Sequence, residues 1–247
     1  MNNEIIVNYV AGSCYSIEVG DYFLVFDYAK GILNVPDDKK TIFFATSKEK
    51  TSYSPEILKV AGMEKFTYVL TTDIAYTRGD NNVIYLKDNK LSIESLKDLY
   101  KSNNVNFIEK NTYYRLNKDI DIYTYSYKGK GISFMLRVED FTIFYGGFDF
   151  LGKNDISNQD ISTYLYEMYE VYDGVDLGFF PILRADGSNN FSRAKSFIEV
   201  LGPQIFFPTN FREDRKICKE FASYKSYEDT DIRWANEANQ EFVIDWD

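Results

Sequence analysis

Short runs of β-branched and aromatic residues, cut by glycine-containing turns, dominate the first third of the chain. Ile5 to Val10, Cys14 to Glu18 and Tyr22 to Asp27 are three such runs, divided by Gly12 and by Gly20-Asp21. The pattern predicts three strands, with 14–27 a hairpin around the Gly-Asp turn. Thr41 to Ala45, Thr-Ile-Phe-Phe-Ala, has no polar interruption after its first residue, as expected of a strand buried on both faces. Residues 46–54 are polar and predict a loop. Ser54-Pro55-Glu56 then carries the marks of a helix start: a hydroxyl at the cap, proline at the first helical position and an acid in the first turn. Phe66 to Leu70 is the next predicted strand. Asn82 to Leu86 and Val105 to Ile108 give weaker strand patterns, with a helix over Ile93 to Lys101 between them.

The same order returns in the middle of the chain. Strands are predicted over Ile120 to Ser126, Gly131 to Val138 and Phe141 to Tyr145, the last two joined by a Glu139-Asp140 turn. A helix is expected from Ser157 to about Tyr172, a buried strand over Gly178 to Ile182 and an amphipathic helix over Phe191 to Leu201. A strand over Ile205 to Phe207 and a helix from Glu213 to Ser223 complete the pattern. Residues 224–247 are polar, carry Trp234 and Trp246, and read as a surface tail with a weak final strand over Glu241 to Ile244. Strands in two groups, each followed by helices, predict two sheets packed together with helices outside. No Pro/Gly/Ser-rich linker divides the chain, so 1–247 reads as one domain.

Composition narrows the function classes. With 247 residues, 45% hydrophobic and 27% charged, the chain suits a soluble globular α/β protein. Its 21 Tyr and 20 Phe predict a bulky aromatic core, since nothing in the pattern locates a stacking surface for bases or sugars. A net charge of −10 repels phosphate backbones and anionic lipid, so no nucleic acid and no membrane are expected as partners. The N-terminal Met-Asn-Asn-Glu-Ile-Ile-Val reads as a first strand and not a signal peptide. Cys14 and Cys218 are far apart, without a CxxC pair, which fits a reducing cytoplasm.

The chain contains no histidine, which excludes Ser-His-Asp and Cys-His catalysis. Neither GxxxxGK[ST] nor GxGxxG occurs. Gly129-Lys130-Gly131 and Gly146-Gly147 read as turns. Zinc is normally held by Cys and His, and two distant cysteines do not make that set. Hard cations, which take carboxylate oxygens, are left open.

Six segments in order across residues 5–222 resemble the metallo-β-lactamase-fold metallohydrolases, of the kind found in low-GC bacteria. Gly12 to Val19 with Phe23 to Tyr28 resembles the opening hairpin, which ends in an Asp, here Asp27. Thr46 to Ile57 stands where the family has its strand-to-helix loop, and Phe66 to Ile74 resembles the strand and turn that follow. Ser133 to Phe150, ending Ile-Phe-Tyr-Gly-Gly-Phe-Asp-Phe, resembles the strand pair leading to the family's AGD turn. Asp176 to Pro181 and Gly202 to Phe211 resemble its two late strands. The resemblance implies a four-layer αβ/βα sandwich, two mixed sheets with helices on the outer faces.

It also implies a localised loss of the metal motif. Ser47, Glu49, Thr51 and Ser52 stand on the motif positions of HxHxDH. Tyr145 matches the histidine before the AGD turn, whose Asp falls on Phe148 with Asp149 one place later, and Asn210 matches the terminal histidine. Asp27 is retained as a supporting residue. Neutral Ser, Thr and Asn are weak ligands, so the expectation is no cofactor: zinc is not expected, and a weak Mg²⁺ or Ca²⁺ site is left open. The first reading is a pseudoenzyme that acts as a binding or interaction module. The second is an enzyme of altered chemistry using Glu49, Asp149, Asp27 and Asp73, with Lys48, Lys50 and Arg212 for an anionic substrate. The third is an inactive partner of an active paralogue, with a homodimer also open.

Overall fold

A computed structural model of the chain describes residues 4–54, 57, 65–77, 84–86, 89–90, 104–127, 131–151, 158–172, 174–182, 191–211, 214–223 and 229–246. It divides into two compact units, residues 1–110 with 237–247, and residues 111–236.

The first unit is built on β1 (Glu4–Ala11), β2 (Cys14–Val19), β3 (Tyr22–Phe26), β4 (Lys40–Ala45), β5 (Thr67–Thr71), β9 (Val105–Ile108) and β17 (Gln240–Asp245). Their order in the sheet is β17-β1-β2-β3-β4-β5-β9. The first four strands are antiparallel to their neighbours, and β3, β4, β5 and β9 run parallel. Every residue of β3 is buried, as is all of β4 after Lys40, which accounts for their unbroken apolar sequences. Phe23, Val25, Phe43, Tyr68 and Leu70 form one core face with Cys14, Tyr53 and Ile57. Three short strands, β6 (Ala75–Thr77), β7 (Ile84–Leu86) and β8 (Asn89–Lys90), form a separate antiparallel sheet. The helix expected over 93–101 lies outside the described residues.

The second unit repeats the plan. Its strands are β10 (Tyr113–Arg115), β11 (Ile120–Tyr125), β12 (Ser133–Val138), β13 (Phe141–Tyr145), β14 (Leu177–Pro181), β15 (Ile205–Thr209) and β16 (Asp231–Ile232), in that order across the sheet. The pairs from β10 to β13 are antiparallel and those from β13 to β16 are parallel. The expected Glu139-Asp140 turn joins β12 and β13, with Glu139 left-handed at φ 54. Among its described residues this unit carries three α-helices: α1 (Asn158–Tyr169), α2 (Ser192–Leu201) and α3 (Arg215–Ala222). Ile161, Leu165, Met168 and Tyr172 recur at helical spacing and are buried. Gly178 lets α2 approach β14. A Cβ there would stand 2.8 Å from the Phe197 ring and 2.9 Å from Pro203 Cβ, closer than packing permits.

Many of the aromatic residues pack in the core, as expected. Phe197 packs on Phe180 at 4.7 Å and on Phe144 at 4.9 Å between ring centroids, and Phe150 meets Phe180 at 4.7 Å. The last residues do more than drape as a tail: they supply β16 at one edge of the second sheet and β17 at one edge of the first. Among the described residues, no helix is long and apolar enough to cross a membrane.

Candidate functional site

In open sheets with parallel strands, binding sites form outside the carboxyl ends of the strands. Both units place buried polar residues there. In the first unit they are Asp27 after β3, Thr46 and Ser47 after β4, and Thr71 at the end of β5. In the second they include Thr209 at the end of β15 and Asn210 just beyond it.

Asp27 is predicted within the third strand but stands just beyond β3, in the left-handed region at φ 50. That conformation costs a non-glycine residue about 1–2 kcal/mol. Local hydrogen bonds offset it: the Asp27 N–H donates to the Phe44 carbonyl at 2.9 Å. The Thr46 N–H donates to Asp27 Oδ1 at 2.8 Å, and the Thr46 hydroxyl stands 2.9 and 2.8 Å from the two carboxylate oxygens. Asp27 is fully buried, and burial pushes its carboxyl up to about 7 from 3.8, against the opposing hydrogen bonds from Thr46 and a contact from Ser52. The completely buried Ser52 hydroxyl also favours the ionised carboxyl, without a fully formed hydrogen bond among the described residues. Burial, reinforced by the Asp27 charge, raises the Cys14 thiol well above its usual range.

The loop after Thr46 closes largely on itself. The Ser47 hydroxyl accepts from the Glu49 N–H at 3.1 Å, and the Glu49 carbonyl accepts from the Ser52 and Tyr53 N–H groups at 2.8 and 3.0 Å. Ser47 is buried, Glu49 half-buried, and Lys48, Lys50 and Thr51 are exposed. Asp73 faces Lys110 across 3.6 Å in a half-exposed ion pair.

In the second unit, Tyr145 is completely buried and packs on Phe179 at 5.8 Å between ring centroids. The following Gly146 N–H donates to the Phe179 carbonyl at 2.8 Å. Asp149, also fully buried, accepts the Tyr127 N–H on both carboxylate oxygens, at 3.0 and 2.8 Å. Asn210, left-handed at φ 56, donates from Nδ2 to the Gly147 carbonyl at 3.4 Å and stands 3.4 Å from Thr209 Oγ1. Asn210 and the Gly146-Gly147 turn are therefore joined directly. Phe148 is half-buried beside them, and Phe150 is 2% exposed within the aromatic core. Arg212 lies outside the described residues.

Two partners escaped the sequence reading. Thr46 stands one residue before the motif positions, and only its place directly after a buried strand signals it. Tyr127 acts through its backbone, which leaves no side-chain signal.

No protein-family model matches the chain, and no curated protein matches it in sequence. Solved structures do. Igni18, a novel metallo hydrolase from the archaeon Ignicoccus hospitalis, superposes with a TM-score of 0.65 at 12% identity, covering 99% of this chain and 100% of that one. YhfI from Bacillus subtilis, a metallo-beta-lactamase fold protein, gives a TM-score of 0.58 at 12% identity over 98% of this chain and 99% of its own. CmlA, a diiron beta-hydroxylase from Streptomyces venezuelae, gives 0.59 at 11% identity, and this chain spans only 55% of its length. These likenesses show the fold: the chain is an α/β protein of the metallo-β-lactamase type, with two mixed sheets as the sequence predicts.

They also correct the expectation that no cofactor is involved. Igni18 is a metallo hydrolase and CmlA a diiron enzyme, so a metal is what this fold implies. The donor chemistry of the present residues fits such a group poorly. The motif positions offer hydroxyls at Ser47, Thr51, Ser52 and Tyr145, one amide at Asn210 and one carboxylate at Glu49. Among the described residues, no three Asp, Glu or Cys side chains group closely enough to hold a metal ion. A metallohydrolase centre needs about four strong nitrogen, oxygen or sulfur ligands around zinc.

Proposed function

We propose that this chain is a binding or interaction module on a metallohydrolase fold, without zinc-hydroxide hydrolase chemistry. The observation that carries this reading is the engagement of its buried acids. Asp27 is held by Thr46 and Asp149 by the Tyr127 backbone, so both carboxyls serve the fold. Hydroxyl and amide side chains at the motif positions do not lower a bound water's pKa toward about 7, as hydrolytic zinc sites do. Ser47, Ser52 and Tyr145 are also wholly buried, which suits internal support more than substrate contact.

Turnover of a nitrophenyl phosphodiester and of a simple lactone, each at saturating zinc, tests the reading. The expected rates equal the buffer background. Metal-dependent hydrolysis above that background contradicts it.

A further inference from the structure

One surface of the second unit carries an unusual pairing of aromatic and acidic side chains. On α1, the buried stripe of Ile161, Leu165 and Met168 faces the core. Beside that stripe the solvent side exposes Tyr166 at 57% and Tyr169 at 44%, and Val171, just past the helix end, at 48%. Glu167 and Glu170 are exposed between and beside them. Residues three and four apart are surface neighbours on a helix, so Tyr166, Tyr169 and Glu170 share one patch. Between Lys153 and Arg184 the sequence has six acidic residues and no basic one.

Isolated exposed apolar residues are ordinary. Here three large ones fall within six residues, and tyrosine is the residue type that interfaces favour, in contrast to solvated helix faces. The surrounding charge selects the occupant. A guanidinium stacks on tyrosine rings and bonds carboxylates in two-point fashion, whereas an ammonium does only the second well. A second copy would bring the same acids against these, and nucleic acid would bring phosphates, so both are repelled. We propose that the exposed side of α1, with Tyr166, Tyr169, Glu170 and Val171 and with Glu167 on the adjoining flank, docks an arginine-rich segment of a partner protein. This goes beyond the interaction-module reading and is measured by binding, so it stands or falls separately from the hydrolysis assays.

The test is fluorescence anisotropy of the full chain with two labelled peptides of equal charge, one alternating Arg with Gly and the other Lys with Gly. The Arg peptide is expected to bind about fivefold or more tighter, the contribution of stacking on exposed aromatic rings. Tyr166→Ala with Tyr169→Ala is expected to weaken it about tenfold and to erase the preference over Lys. Glu167→Gln with Glu170→Gln is expected to weaken both peptides. Asp37→Asn with Asp38→Asn, an exposed acidic pair in the other unit, is the control and should change binding by less than about twofold. All three pairs lie at exposed positions, and unchanged thermal unfolding verifies the fold; should the tyrosine pair fail to fold, the glutamate pair carries the test. Equal binding of the two peptides by the wild type overturns the proposal, as does an equal loss in the control pair. Self-association abolished by the tyrosine variant also overturns it, in favour of a second copy.

Discussion

The two units use the carboxyl edges of their parallel strands in opposite ways. In the first, a carboxyl is kept in the interior and left titratable: Asp27 is fully buried, raised to about 7, and held through Thr46. In the second, the corresponding edge is filled with rings, Tyr145 on Phe179 and Phe150 on Phe180, and its buried acid is clasped by a backbone N–H. The contrast shows that polar backbone edges inside the fold need partners, and that a hydrogen-bonded acid or an aromatic plug each provides a workable solution.

The largest effect should come from the aromatic side. Phe150→Ala is expected to cost about 3–5 kcal/mol in denaturant unfolding, because the site is enclosed by other rings and collapses poorly. A loss below about 1 kcal/mol would show that the second edge is loosely packed and break the comparison.

The acid side should answer to pH. Below about pH 4 the Asp27 carboxyl is protonated in both folded and unfolded chains. As pH rises toward 7, the unfolded chain releases the proton while the folded chain retains it, so stability falls with pH and the loss is complete above about 7. At about 1.4 kcal/mol per pH unit the loss totals about 4 kcal/mol. Asp27→Asn, which keeps an acceptor for Thr46, should remove this slope. An unchanged pH profile in that variant would mean that the titration lies elsewhere.

Smaller still is Thr46→Val, which strips the carboxyl of its hydroxyl partner. At pH 8, with Asp27 ionised, the cost should be about 1.5–3 kcal/mol, and less at pH 5. A cost independent of pH would assign Thr46 a packing role only. Ser52→Ala should be the smallest change, within about 1 kcal/mol at pH 5, because its buried hydroxyl makes no fully formed hydrogen bond among the described residues. A larger loss would reveal that Ser52 binds Asp27 more firmly than its position indicates.

Much of the architecture was legible because burial writes itself into sequence. β3 and β4 are buried throughout or nearly so and read as continuous apolar runs, while β11 alternates buried and half-buried residues with period two. β10 was missed because it is three residues long, exposed at Tyr113 and Arg115, and flanked by polar turns. β16, two residues long, offers no periodicity at all. The absence of histidine is read directly from the sequence, whereas Ser47, Glu49, Ser52, Tyr145 and Asn210 are singled out only by resemblance to the family's motifs. The partnership of Asp27 with Thr46 joins residues 19 apart, and that of Asp149 with the Tyr127 N–H joins residues 22 apart, through parallel-strand ends and a main-chain donor. Neither leaves a local pattern. The cofactor expectation failed for a different reason: it set the donor chemistry of the residues above the metallohydrolase resemblance, and Igni18 and CmlA tie this fold to metals.

The most direct test of the central claim measures bound zinc and hydrolysis on the same sample, before and after chelation. The account predicts phosphodiester and lactone rates at the buffer background in both states, whatever zinc adheres to the protein. Turnover that scales with bound zinc, vanishes on chelation and returns on reloading would contradict it.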